Sequence, residues 1–300
     1  MANVKQLENT PDGLLVRAPA KINLCLLIAG KRPDGYHEIK TVMAKVDWFD
    51  ELLFQESRAE EIELVCRGKY PVPQGTDNLV FRAAQLFAKE AGITPKIKIT
   101  LTKNIPAGSG LGSGSSDAAA ALVGCNVFAK AALPPEQLER MAASLGSDIV
   151  FFLNGPLALC TGRGEKISQI SKTFEFLSLL ILPNVNTSTK RVYENYKHDA
   201  LLFERLNSKL ESCLNENRVD LIMRMCANML GKSCFDLHPD IASLKERIEQ
   251  LGIAPLSLSG SGSTLFYIFE NRDLQAVQRY QHMIRDAIGC DSVLVNSNSW

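Results

Sequence analysis

No apolar run in this 300-residue sequence approaches the roughly 20 residues that a membrane-spanning helix needs. Net charge is missing too. Lys plus Arg and Asp plus Glu both number 33, so no overall field of one sign draws nucleic acid or an acidic membrane surface. Any anionic ligand must be held by local groups. The eight cysteines include no C-x-x-C pair and no neighbouring His at zinc-ligand spacing, which excludes the common zinc and dithiol motifs. They read as reduced thiols of a cytosolic protein. The opening stretch MANVKQLENTPDG has neither the cationic-then-apolar order of a secretory signal nor the acid-poor, Arg-rich character of a transit peptide, so the expected location is the cytoplasm. Tandem repeats are absent, and the one low-complexity tract is a short Gly/Ser run.

What is present is a composition 46% apolar, ample for a buried core, in a chain long enough for one large domain or two moderate ones. Near the start, VRAPAKINLCLLIAG and YHEIKTVMAKVDWF flank RPDG, whose Pro33 and Gly35 suit the second and fourth positions of a type I turn, so a β-hairpin is expected. DNLVFRAAQLFAKEAG has helical spacing, with Asp77 placed to cap it and Gly92 to stop it. KIKITLT alternates as a half-buried strand, PPEQLERMAASLG reads as a helix, and SDIVFFLNG reads as a short apolar strand. The pattern turns polar and broken around TGRGEKISQISKTFEF, which divides the chain into units 1–165 and 166–300, the first strand of the second unit starting near Leu177. That unit closes in the order β-β-α-β, as expected of helices on one face of a small, largely antiparallel sheet.

Between the KIKITLT strand and an Ala-rich helix lies PAGSGLGSGSSD. A Gly/Ser linker separates domains; this run joins a strand to a helix inside one periodic unit. Its glycines let the backbone adopt positive φ and bring a ligand close to the amides. With Ser115 or Ser116 as cap and Asp117 in the first turn, the helix start forms an anion site, and phosphate is the obvious anion. Two familiar nucleotide loops fail here. No Lys follows these glycines as a P-loop requires, and the lone GKS, Gly231 to Ser233, has Cys226 where its first Gly belongs. The G-x-G-x-x-G fingerprint meets Ser113 or Ser115 at its last position.

The loop PAGSGLGSGSSDAAAAL resembles the phosphate-binding motif of the GHMP small-molecule kinases. Two further stretches, APAKINLCLLIAGKRPDGYHEIKTVM and LSGSGSTLFYIF, are similar to other motifs of that family, and the resemblance extends over essentially the full length. It implies an α+β, two-domain GHMP kinase fold: an N-terminal β-rich α/β nucleotide domain and a C-terminal ferredoxin-like α/β sandwich. It further implies phosphoryl transfer from ATP, with Mg2+, to an alcohol, and the N-terminal stretch points to the branch acting on cytidine diphosphate methylerythritol.

By the resemblance, Pro106, Ala107, Gly108, Ser109, Gly110, Leu111, Gly112, Ser113, Gly114, Ser115 and Ser116 wrap the ATP phosphates, with Ser116 near the magnesium, whose ligands stay unassigned. Asn78 and Lys103 lie around the adenine side. Read alone, Asn78 is a helix-start residue and Lys103 a solvated strand end. Asp148, in LGSD, matches the catalytic aspartate; read alone it is a cap or turn residue. Lys21 matches the lysine beside that aspartate and the acceptor hydroxyl, and a strand-edge lysine in solvent is its plainer reading. Asn23 shares the face of Lys21 by strand period and, with Thr189, is a substrate candidate. Tyr36 and His37 match the residues that bind cytosine by stacking and hydrogen bonds, or else simply open a strand.

Overall fold

The computed structural model describes residues 5–171, 175–225, 227–269 and 273–300; Cys226, cited above, lies outside them. Two strands dominate the first unit: β2 (Gly13–Lys31) and β3 (His37–Glu56) form the expected hairpin through the RPDG turn, closed by the Gly35 amide on the Arg32 carbonyl at 3.1 Å. β1 (Leu7–Thr10) adds to the outer edge of β2. β3 is long enough to serve two partners: its early part pairs with β6 (Leu157–Gly162) and its later part with β5 (Ile97–Lys103), which carries β4 (Ile62–Gly68) in parallel. β7 (Lys166–Gln169) pairs with β6, so this seven-stranded sheet runs on to Gln169.

Helices α1 (Leu79–Ala91), α2 (Ser113–Phe128), α3 (Pro135–Leu145) and α4 (Ser147–Leu153) build one core with this sheet. Three local expectations are corrected. Asn78, not Asp77, caps α1: its Oδ1 accepts the Val80 amide at 2.8 Å. α2 begins three or four residues earlier than expected, with Gly112 rather than Ser115 or Ser116 as N-cap and no side-chain cap, which moves Asp117 past the first turn and into the interior. SDIVFFL is a helix. Its four consecutive buried apolar residues, Ile149 to Phe152, are covered all round, and a run so short and uniformly apolar carries no period that separates helix from strand.

The second sheet has the order β11-β8-β10-β9 and is antiparallel throughout: β8 (Leu177–Leu182), β9 (Ser257–Leu258), β10 (Leu265–Phe269) and β11 (Asp291–Asn296). Around it lie α5 (Thr189–Glu194), α6 (Ala200–Asn215), α7 (Val219–Met225), α8 (Gly231–Leu237), α9 (Pro239–Gln250) and α10 (Leu274–Ile288). The strand order, with the last strand beside the first, is that of the expected ferredoxin-like sandwich.

The units meet on β2. Leu26 exchanges backbone hydrogen bonds with the second unit, its amide to Ala227 O at 2.8 Å and its carbonyl from the Met229 amide at 2.9 Å. Covered on both faces, β2 is buried without a break from Ala18 to Ile28. A strand in that position normally reads as continuous apolar residues, and the polar side chains it carries are therefore informative.

Candidate active site

A cleft of about 860 Å³ is lined by residues of both units. At one end is the glycine loop. Gly110 has φ +80°, and a Cβ there would sit 2.1 Å from the Ser259 carbonyl oxygen; Gly112, at φ +70°, ends the loop and starts α2. The loop's carbonyls are occupied: Thr187 N and Oγ1 donate to Gly108 O, Thr264 N to Ser109 O, Ser259 Oγ to Gly110 O and Lys21 N to Leu111 O. The amides of Gly110, Leu111 and Gly112, by contrast, have no protein acceptor among the described residues. With the uncapped first turn of α2 behind them, they form a cradle of donors for an anion.

Lys21 is 3% exposed, so the strand-edge reading is overturned. Its Nζ donates to Asn23 Oδ1 at 2.5 Å and to Gly110 O at 2.7 Å, tying β2 to the cradle. Burial pulls this ammonium below its ordinary range, and the Asp148 carboxylate pulls it part of the way back. Asn23 is fixed in turn, its Nδ2 donating to Thr41 Oγ1 at 2.8 Å and Thr41 Oγ1 to Cys25 O at 2.6 Å. Asp148 enters the cleft from the first turn of α4, in the region of Gly164 and Tyr193. Burial, then the Asp148 charge, push the Tyr193 phenol up, so Tyr193 stays a neutral donor.

Away from the cradle the wall is aromatic. The His37 ring lies 5.2 Å from that of Tyr193 and 5.8 Å, edge-on, from that of Tyr196. Tyr36 is 56% exposed and carries the Arg163 guanidinium 5.0 Å over its ring. Burial lowers the His37 pKa, and the Lys31 and His198 charges lower it further, which favours the neutral imidazole with one donor and one acceptor. Thr189 shares a 2.9 Å hydrogen bond with Ser261 at the cleft's second-unit wall.

The cleft thus gathers Lys21, Asn23, Tyr36, His37, Asp148 and Thr189 with Gly108, Ser109, Gly110, Gly112, Ser113, Gly114 and Ser115 of the loop. Pro106, Ala107, Leu111, Ser116, Asn78 and Lys103 do not line it. Lys103 is far from a solvated strand end: 1% exposed, it joins Asp50 and Asp117, the latter at 2.6 Å, and donates to Ser113 Oγ at 2.9 Å. Asp50 Oδ1 also accepts the Asn104 and Ile105 amides. One ammonium so holds both ends of the loop. Burial and the neighbouring Asp50 charge raise the Asp117 carboxyl to about 8, against the pull of Lys103.

Arg163, Tyr193 and Tyr196 also line the cleft and are not apparent from sequence. TGRGEK has the composition of a boundary, and the pairing of β6 with β3 is what swings it over Tyr36. The aromatic spacing in RVYENY offered a signal, but only with the knowledge that α5 faces the hairpin.

Fold and cradle together are those of a small-molecule kinase. The GHMP kinases N terminal domain family matches residues 78–156 and the GHMP kinases C terminal family residues 210–282. A 4-diphosphocytidyl-2-C-methyl-D-erythritol kinase of Bacillus cytotoxicus is 38% identical over 253 residues, covering 84% of this chain and 87% of the relative; one of Bacillus cereus is 37% identical over the same coverage. A crystal structure of 4-(cytidine 5'-diphospho)-2C-methyl-D-erythritol kinase superposes with a TM-score of 0.75 at 28% identity, over 95% of this chain and 100% of that one. A homoserine kinase from Cytophaga hutchinsonii, 21% identical with a TM-score of 0.75 over 97% of this chain and 96% of its own, shares the fold. The chain belongs to the GHMP kinases, and within them to the 4-diphosphocytidyl-2-C-methyl-D-erythritol kinase family.

Proposed function

We propose that the chain transfers the γ-phosphoryl group of ATP to the 2-hydroxyl of 4-diphosphocytidyl-2-C-methyl-D-erythritol, a step toward isoprenoid precursors. One observation carries this reading: a single cleft holds the anion cradle, the Lys21–Asp148 pair and the His37 aromatic cluster. The free amides of Gly110 and Gly112, which line the cleft, take the phosphates. Asp148 accepts the hydroxyl proton as the alcohol oxygen bonds to the γ-phosphorus and the bond to ADP breaks. Lys21, held at the cradle by Gly110 O, sets positive charge beside the equatorial oxygens, where transition-state charge collects. His37 presents its donor and acceptor to the polar edge of cytosine, Tyr36 stacks on the base, and Asn23 and Thr189 hold the polyol. Lys103 and Asn78 serve the nucleotide end from behind, by fixing the loop and the start of α1.

Magnesium fits through the phosphates. Among the described residues no group of three His, Cys, Asp or Glu side chains is arranged to hold a metal ion. Ser116 Oγ, buried just behind the cleft lining without a hydrogen-bond partner, would be the hard oxygen offered to Mg2+ alongside phosphate oxygens. When bound, the ion neutralises charge on the transferred group. Among the described residues no helix is long and apolar enough to cross a membrane, and the seven described cysteines are free, which supports a reducing cytoplasm as the setting.

The test is coupled ADP release over a panel of alcohols. Turnover of the cytidyl substrate, with none of homoserine or mevalonate, is expected; the opposite preference would overturn the assignment.

A further inference from the structure

Lys45 is a second buried lysine beside the site, 2% exposed and outside the cleft lining. It is the register partner of Lys21 across β2 and β3, so the two side chains leave the same face of the sheet. Among the described residues its Nζ reaches no carboxylate; it donates instead to Asn154 O at 2.6 Å and Phe152 O at 3.1 Å, the carbonyl end of α4. The backbone of Lys45 is pinned as well, its amide to Pro156 O at 2.8 Å and its carbonyl from the Asn298 amide at 2.9 Å. A buried ammonium without a counter-charge is costly, and here both of its hydrogen bonds go to one helix end.

That helix is α4, whose first turn carries Asp148. Phe152 follows Asp148 by four residues, one turn along on the same side of the helix. The Phe152 ring also abuts the cradle: a Cβ on Gly112 would lie 2.9 Å from its Cζ and 3.0 Å from Lys21 Cγ. α4 is a two-turn helix of seven hydrogen-bonded residues, so a contact that fixes its carbonyl end against β3 also constrains Asp148 against Lys21 and the cradle.

We propose that Lys45 is a positioning residue for phosphoryl transfer: by clamping the carbonyl end of α4 to β3 beside Lys21, it sets the place of Asp148 relative to the phosphate. This rests on Asp148 being the base. Displacement of a reacting group by about 1 Å can cost up to 10²-fold in rate, and a loss in kcat on the order of tenfold is expected for Lys45→Met, with the KM for ATP and for the cytidyl substrate within about twofold.

The deciding experiment is a double-mutant cycle in the full chain, reading kcat for Lys45→Met, Asp148→Asn and the pair. If Lys45 acts through Asp148, Lys45→Met lowers kcat in the unaltered chain and costs nothing further once Asp148→Asn is present. An equal loss in both backgrounds, or no loss of kcat at all, overturns the proposal while leaving Asp148 as base. A near-normal kcat for Asp148→Asn alone removes the base assignment and the clamp with it. Should Lys45→Met fail to fold, Lys45→Gln, which stays polar but ends one atom short of the Nζ position that reaches Asn154 O and Phe152 O, goes through the same cycle with the same outcomes.

Discussion

Lys21 and Lys45 stand directly opposite each other in the β2–β3 ladder, two buried amines on one face of the sheet. Like charges at such positions oppose folding, and the structure separates them by sending Lys21 to Gly110 O and Asn23, and Lys45 to the end of α4. Burial lowers the Lys45 pKa from 10.5 to about 8. The folded state therefore releases this proton near pH 8 while the unfolded chain keeps it to about 10.5, so the unfolded state binds more protons in that window and stability rises with pH. Denaturant unfolding at pH 8 and pH 10.5 is expected to show wild type gaining about 3 kcal/mol relative to Lys45→Met. Parallel pH profiles for the two proteins would mean that the folded protein keeps this amine charged across the window, as the unfolded chain does, so that burial does not lower its pKa.

Asp148 lines the cleft from the first turn of α4, and under the proposed function it is the acceptor of the alcohol proton. Asp148→Asn removes the proton acceptor and preserves shape, so kcat should fall by about 10²-fold or more with ATP affinity nearly unchanged. Steady-state kinetics together with nucleotide titration check both halves. A matching loss of ATP affinity would move Asp148 from the acceptor to the donor side of the reaction.

His37 packs against two tyrosine rings on the aromatic wall of the cleft. His37→Ala is expected to raise the KM for the cytidyl substrate while leaving that for ATP in place. The lowered pKa of His37 adds a sign: a second proton replaces its acceptor with a donor, so in wild type the same KM rises as pH falls below the ordinary histidine range, about 6.5. A KM that is flat with pH and insensitive to the substitution would take His37 out of the substrate site.

The parts of this protein that are legible in its sequence are those governed by local periodicity. The hairpin through RPDG, the amphipathic α1, α3, α9 and α10, and the alternating β5 need no tertiary knowledge, and the loop's place between strand and helix already marks an anion site. What escapes is decided by burial from a distance. Lys21 and Lys103 look like strand-edge lysines until the second unit covers β2 and Asp50 and Asp117 close on the ammonium of Lys103. The helical state of α4 escapes because its apolar residues are covered on every side. Arg163 and Tyr196 reach the cleft only through the β3–β6 pairing and the packing of the two units.

The Lys103 network makes the last prediction. A single ammonium, 1% exposed, serves two buried carboxylates that tie β3, β5 and α2 to the two ends of the phosphate loop. Breaking a buried ion pair by removing one partner typically costs about 3–5 kcal/mol, because the charge left behind is uncompensated. Lys103→Met should therefore lower unfolding stability by an amount of that order and raise the KM for ATP, since the cradle loses the anchor on Ser113. Lys103→Met leaves two buried carboxyl groups side by side without a cation, and adding Asp117→Asn removes one of them at little change in shape. The double variant is expected to recover part of the stability without recovering the KM for ATP, because the carboxylate is neutralised while the link to Ser113 stays broken. Urea unfolding and ATP kinetics on the two variants decide the matter: recovery of both together would show that the network sets overall stability and has no separate hold on the loop.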